Sequence, residues 1–210
     1  MNKAVDYSLY LVTDRELMST NTLDAAVEAA IRGGCTMIQL REKDLDSRAF
    51  YAQASSLRVL TRQTGVPLII NDRVDIALAS NADGVHVGQS DLPAAVVRQI
   101  IGPDKLLGVS ASTLEEAVAA EQDGADYLGI GAMYPTGTKS DAAIVSIEEL
   151  CAIRKAVSIP IVVIGGINEQ TLPAFAGTGI DGLAVVSAVI AQPDIEAAAR
   201  QLLQLFRQLR

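Results

Sequence analysis

The sequence predicts an α/β fold, a single (β/α)8 TIM barrel spanning residues 1–210. Three observations carry that prediction. Short β-branched runs alternate with longer Ala-rich segments along the whole chain, a rhythm that demands parallel strands joined by crossovers. Eight such units fit into 210 residues, the compact end for a barrel. No GxGxxG follows the first strand, where an open dinucleotide-binding sheet would carry it.

Taken in order, YSLYLVTD (7–14) is the first strand. The Ala-rich helix TLDAAVEAAIRGG follows, opened by Thr22 and closed by Gly33-Gly34. MIQLREK (37–43) is the second strand, PLIIND (67–72) the third and GVHVG (84–88) the fourth. LLGVSA (106–111) leads into TLEEAVAAEQDGA, where Thr113 with Glu116 three residues on is a capping-box signature. YLGIGA (127–132), PIVVIGG (160–166) and GLAVVSAV (182–189) complete the set. No Pro- or Ser-rich linker interrupts the rhythm and no second composition appears.

Composition narrows the function. Half of the chain is apolar and 20% is charged, enough to build a core and too apolar for disorder. Seventeen Lys and Arg against 25 Asp and Glu give a net charge of −8, which argues against a nucleic-acid partner. The opening MNKAVDYSLYLVTDR is interrupted by Asp6, Ser8 and Asp14, so it does not read as a signal peptide. No run approaches the ~20 apolar residues of a membrane span, so no membrane partner is expected. Cys35 and Cys151 lack CxxC spacing and a neighbouring His; they read as small buried residues rather than metal ligands. The expected setting is cytoplasmic, and nothing in the sequence speaks to oligomeric state.

In a barrel, functional groups gather where strands end, at the C-terminal face. These ends are polar. Gln39, Arg41 and Lys43 alternate with Ile38, Leu40 and Glu42, so the first three share a strand face. If that face is the barrel interior, both cations rise toward the mouth and Glu42 turns away. The plainer alternative is a strand fraying into solvent. Strand three ends in Asn71-Asp72-Arg73, and Gln89, Ser90 and Asp91 follow strand four. Asp72 and Asp91 together suit one hard divalent cation, which takes one or two carboxylates plus phosphate oxygens. Taken alone, Asp72 reads first as a helix cap, and Asp91 admits the same reading because Pro93 follows closely.

Strand five ends in Ser110 and Ser112. The long loop MYPTGTKSDAA (133–143) has the length of a mobile lid, and its PTGTK (135–139) is an anion-binding kit without P-loop spacing. Gly165-Gly166 and Ser187 fall after strands seven and eight, where barrels often bind phosphate. His86, the single histidine, lies inside strand four and reads as a packed residue. No Ser/His/Asp triad assembles around it.

Together LYLVTDR, QLREK, ND, GVHVGQSDL, GVSA, YPTGTKSDA, IGGI and AVVSAV resemble, along the whole chain and in order, the thiamine-phosphate synthase (thiamine-phosphate pyrophosphorylase) family. The resemblance implies a transferase of thiamine biosynthesis. It would join 4-amino-2-methyl-5-(diphosphooxymethyl)pyrimidine to 4-methyl-5-(2-phosphoethyl)thiazole, releasing pyrophosphate. It implies that Gln39, Leu40, Arg41, Glu42, Lys43, Asn71, Ser110 and Lys139 line the pyrimidine diphosphate, with Arg41, Lys43, Ser110 and Lys139 catalytic. It gives Asp72 and Asp91 one Mg²⁺ per subunit. Thr136, Gly137, Thr138, Gly166, Val186 and Ser187 would take the thiazole phosphate. The rivals are a thiazole tautomerase, which has no use for the diphosphate and Mg²⁺ set, and a barrel that binds thiamine precursors without turnover. A Schiff-base aldolase lacks its lysine, since YLGIGA supplies none.

Overall fold

The computed structural model describes residues 5–137 and 143–209. Eight parallel strands close into a barrel in chain order: β1 (Leu9–Val12), β2 (Met37–Leu40), β3 (Leu68–Asn71), β4 (Gly84–Val87), β5 (Leu106–Ala111), β6 (Tyr127–Ile130), β7 (Ile161–Val163) and β8 (Gly182–Val185). β8 pairs back on β1, with Leu9 opposite Leu183. The helices α1 (Leu23–Arg32), α2 (Ser47–Thr64), α3 (Val74–Ala79), α4 (Ala94–Ile101), α5 (Leu114–Gln122) and α6 (Ile147–Ala156) fill the first six crossovers. After β8 come α7 (Ser187–Ile190) and α8 (Ile195–Leu209).

Alternation along each strand divides the core in two. Leu9, Leu11, Ile38, Leu40, Ile70 and Val85 point outward and pack under the helices. Tyr10, Val12, Met37, Ile69, Tyr127, Val162 and Ala184 fill the lumen. The caps follow the sequence. Thr22 Oγ1 accepts from Ala25 N at 3.2 Å and Thr113 Oγ1 from Glu116 N at 3.2 Å. The Glu116 carboxylate reaches back to Ser112 N at 2.7 Å, one residue before the cap.

At the N-terminal rim one arrangement repeats. Asp83, just before β4, donates its N–H to Leu68 O and accepts Leu68 N at 2.8 Å through its carboxylate. Asp126 does the same with Leu107 before β6, and Asp181 with Ile161 before β8. Each carboxylate also holds an arginine from the helix preceding the odd strand: Arg58 at 2.6 Å, Arg98 at 2.5 Å and Arg154 at 3.2 Å. Before β2 the position belongs to Thr36, whose hydroxyl accepts Leu9 N at 3.0 Å. The staple thus links the strands in pairs around the rim.

Three expectations need correcting. Strand two stops at Leu40, not at residue 43, because Arg41 N turns to the Thr13 hydroxyl at 3.0 Å and leaves the ladder. The seventh crossover is a single 3₁₀ turn, Leu172–Phe175, in place of a helix. Pro173 at its start and the positive φ of Gly177 and Gly179 beyond it keep it short. Cys35 is buried as expected, its thiol pushed up to about 12 by burial, but Cys151 on α6 is only half-buried. Among the described residues, no helix is long and apolar enough to cross a membrane.

Candidate active site

The loop after β2 does not extend the strand, so alternation fails to place Arg41 and Lys43. Only Gln39 points into the lumen, where its amide donates to Tyr10 Oη at 2.7 Å. Leu40 packs outward in the core, which leaves only its backbone for a ligand. Arg41 leans toward Asp14, with 4.0 Å between charged atoms. Glu42 turns onto Arg15 at 2.7 Å, its side chain 6% exposed. The β1 loop therefore braces the β2 loop through Thr13, Asp14 and Arg15, three residues that sequence reasoning did not single out. Their signal was the polar end of LYLVTDR, legible only once β1 and β2 are known to be neighbours.

Lys43 crosses to the end of β3, where Nζ donates to Asp72 Oδ2 at 2.7 Å. Asp72 also accepts from the Asn71 amide, and Asn71 reaches His86 O at 3.4 Å. Asp72 is not a helix cap. Arg73 occupies that position on α3, and no side chain caps it. The backbone at Asp72 has φ 61°, a left-handed conformation that Asp tolerates but that non-glycine residues seldom adopt outside special sites. Asp91 is not a cap either, since Pro93 precedes α4; instead it accepts Gly88 N at 2.8 Å. Burial, and after it the facing Asp72 carboxylate, push Asp91 up from the ordinary carboxylate range, against the pull of Gly88 N–H and Lys43.

Two carboxylates that repel each other beside one lysine form a donor set suited to a divalent cation. Among the described residues no third His, Cys, Asp or Glu joins them. A cation there would draw its remaining ligands from water or a bound anion, as Mg²⁺ commonly does.

Across β4 and β5, His86 Nε2 lies 2.9 Å from Ser110 Oγ, while Nδ1 faces Tyr127 Oη at 3.1 Å. His86 is packed, as expected, yet it touches a predicted site residue. A phenol stands where a triad would place its carboxylate. Gln89 fixes the strand end by donating to Ser110 O at 2.7 Å. Ser112 instead bonds Gly131 O at 3.1 Å and stays structural.

On the opposite side of the mouth, the loops after β7 and β8 enclose a cavity of ≈ 260 Å³ whose lining includes Thr136, Gly166, Val186 and Ser187. Gly137 is exposed and does not line it. Gly165 and Gly166 have φ of 93° and 67°. A Cβ on Gly166 would stand 2.6 Å from Tyr134 Cβ, so glycine here lets the loops after β6 and β7 meet. Thr138 and Lys139 lie outside the described residues.

Residues 9–189 match the sequence profile of the family described as thiamine monophosphate synthase. A thiamine-phosphate synthase of Clostridium botulinum is 60% identical over 100% of this chain and 98% of its own length. That of Clostridium beijerinckii is 63% identical over 96% of this chain and 97% of its own. The solved structure of the thiamine phosphate pyrophosphorylase from Pyrococcus furiosus superposes with a TM-score of 0.90 at 40% identity, covering 98% of each chain.

Proposed function

The chain belongs to the thiamine monophosphate synthase family and is an enzyme that forms thiamine phosphate; we propose that it does so by joining the pyrimidine diphosphate to the thiazole phosphate across the barrel mouth. The observation that carries this reading is the division of that mouth. One side holds Lys43, Asp72 and Asp91, with Asp91 raised by burial and by Asp72. The other is a neutral cavity bordered by glycine and Ser187.

On the charged side, Asp72 and Asp91 would hold Mg²⁺, which supplies charge neutralisation to a departing diphosphate. Lys43 lies close enough to Asp72 to exchange that partner for a diphosphate oxygen. Arg41, half-exposed beside Asp14, is a second cation for the same anion, and Lys139 would be a third. Gln39 and Asn71, anchored to Tyr10 and Asp72, would orient the pyrimidine; Ser110 would donate to the diphosphate. Leu40 would offer backbone only, and Glu42 would act through Arg15. On the neutral side, Thr136, Gly137, Thr138, Gly166, Val186 and Ser187 would seat the thiazole phosphate.

No nucleophile or strong base of the protein is required. Once the leaving group is neutralised, the aminopyrimidine stabilises the methylene cation and the thiazole nitrogen captures it. The enzyme contributes positioning and electrostatics. Free cysteines at 35 and 151 support a reducing, cytoplasmic setting, and the net charge of −8 supports small-molecule rather than nucleic-acid partners.

The test mixes the protein with both substrates, with and without Mg²⁺, and follows pyrophosphate and thiamine phosphate. Product formation that depends on Mg²⁺ is expected. Folded protein that binds both substrates without releasing pyrophosphate would overturn the mechanism.

A further inference from the structure

The lumen contains a polar chain whose middle members, Tyr10, Tyr127 and His86, have no part in the proposed reaction. Gln39 Nε2 donates to Tyr10 Oη at 2.7 Å, Tyr10 Oη lies 2.8 Å from Tyr127 Oη, Tyr127 Oη 3.1 Å from His86 Nδ1, and His86 Nε2 2.9 Å from Ser110 Oγ. It crosses the barrel from β2 to β5 beneath the mouth. The backbone makes room for it. A Cβ on Gly108 would stand 2.2 Å from Tyr127 Cζ and 2.4 Å from His86 Nδ1, and one on Gly129 would stand 3.0 Å from His86 Cε1. Glycine weakens a strand interior, so two glycines on adjacent strands here are a cost accepted for these two rings.

The chain has a direction. A phenol carries one proton and one hydroxyl donor. Tyr10 accepts the Gln39 amide, and a chain that continues in that sense has Tyr10 donate its own proton to Tyr127. Tyr127, having accepted it, directs its proton to His86 Nδ1. Both phenols are buried, 1% and 0% exposed, and burial holds their hydroxyls protonated, as donors. With Nδ1 accepting, the imidazole proton sits on Nε2 and points at Ser110 Oγ.

We propose that Gln39, Tyr10, Tyr127 and His86 form a positioning relay that holds His86 as the neutral Nε2–H tautomer, so that the Ser110 hydroxyl accepts from His86 and turns its own proton into the mouth. There it donates to an oxygen of the departing diphosphate. The inference rests on the place given to Ser110 in the proposed function. His86 and the phenols are positioning residues; they act through Ser110 and touch no substrate.

The histidine is the only one in the chain, which makes its tautomer readable without assignment. In ¹⁵N-labelled protein, a long-range ¹H–¹⁵N correlation spectrum is expected to show the Nε2–H pattern. An Nδ1–H pattern would mean a reversed chain in which Ser110 donates to His86, and would overturn the proposal. Tyr127→Phe keeps the ring and removes the proton: kcat is expected to fall about tenfold with little change in either KM. Tyr10→Phe, one link further off, is expected to lower kcat less and supplies the test should Tyr127→Phe fail to fold.

Ser110→Ala is expected to lower kcat about a hundredfold, the loss typical of one removed transition-state donor. Adding Tyr127→Phe to it should then cost nothing more, because the relay acts only through that hydroxyl. Multiplicative losses would overturn the relay while leaving Ser110 its role. An unchanged kcat in Ser110→Ala would instead overturn the placing of Ser110, and the relay's function with it.

Discussion

The two rims of the barrel are built from the same ions and use them in opposite ways. At the N-terminal rim Asp83, Asp126 and Asp181 each combine one arginine with one backbone N–H of the neighbouring strand. In each, one carboxylate oxygen takes both contacts, and the arrangement repeats every second strand. At the C-terminal rim Asp72 shares Lys43 and its neighbour's amide, while Asp91 takes one backbone N–H and faces Asp72. Nothing there repeats. The lower carboxylates are consumed by structure; the upper pair, mutually repelling and joined through Asp72 to an exposed lysine side chain, keeps capacity for a ligand. An ion pair alone does not distinguish function from fold. What distinguishes them is whether the pair also closes the backbone ladder.

The strongest way to break this comparison is Asp72→Ala. Turnover is expected to fall by about 10²–10³, the loss of a group that helps neutralise the leaving charge. The melting temperature should fall only slightly, by the strain of alanine at the left-handed φ of 61°, and thiazole-phosphate affinity by calorimetry should change little, because the cavity at Gly166 and Ser187 lies on the other side. Equal loss of turnover and thiazole-phosphate binding would show that the two sides of the mouth are one structural unit.

Asp126→Ala is the converse. It leaves Leu107 N, on a fully buried residue, without its carboxylate, while Arg98 loses its counter-charge but keeps the carbonyls of Gly102, Lys105 and Gly124. An orphaned buried donor costs about 1–3 kcal/mol. The ion pair adds less, since the Asp126 side chain is 39% exposed and screened. For a chain of this size, at about 2–4 °C per kcal/mol, that is a melting temperature lower by about 2–12 °C. Activity below the transition should be unchanged. Lost turnover in folded protein would erase the difference between the rims.

How legible these rims were in the sequence differs. The barrel followed from strand rhythm together with the compact length and the missing GxGxxG, and Asp72 and Asp91 were visible because they end two successive strand–loop segments. The rim staple was not legible. Asp83, Asp126 and Asp181 read as ordinary turn residues until register shows each beside the N–H of the strand before it. Tyr10 and Tyr127 were hidden for the same reason, since two phenols 117 residues apart meet only inside a closed barrel. Arg41 and Lys43 failed differently. Period-two alternation assumes that the strand continues, and one hydroxyl, that of Thr13, ended it at Leu40. Local pattern gives elements and their faces; long-range hydrogen bonds decide where a strand stops.

Glu42 tests the boundary between the two kinds of carboxylate, because it stands at the upper rim yet behaves like a lower one. Its side chain is nearly buried and committed to Arg15 at 2.7 Å, which ties the β2 loop to the β1 loop. Glu42→Gln keeps an acceptor for Arg15 and removes the charge. Arg15 is 39% exposed, so the pair is worth at most about 1 kcal/mol. If Glu42 only braces the loop that carries Arg41 and Lys43, KM for the pyrimidine diphosphate should rise about threefold while kcat holds, the size expected from one weakened hydrogen bond. A kcat lower by about a hundredfold would place the Glu42 carboxylate on the reacting atoms themselves, since only a contact made in the transition state costs that much. Steady-state kinetics with the pyrimidine diphosphate varied at saturating thiazole phosphate separates the two outcomes.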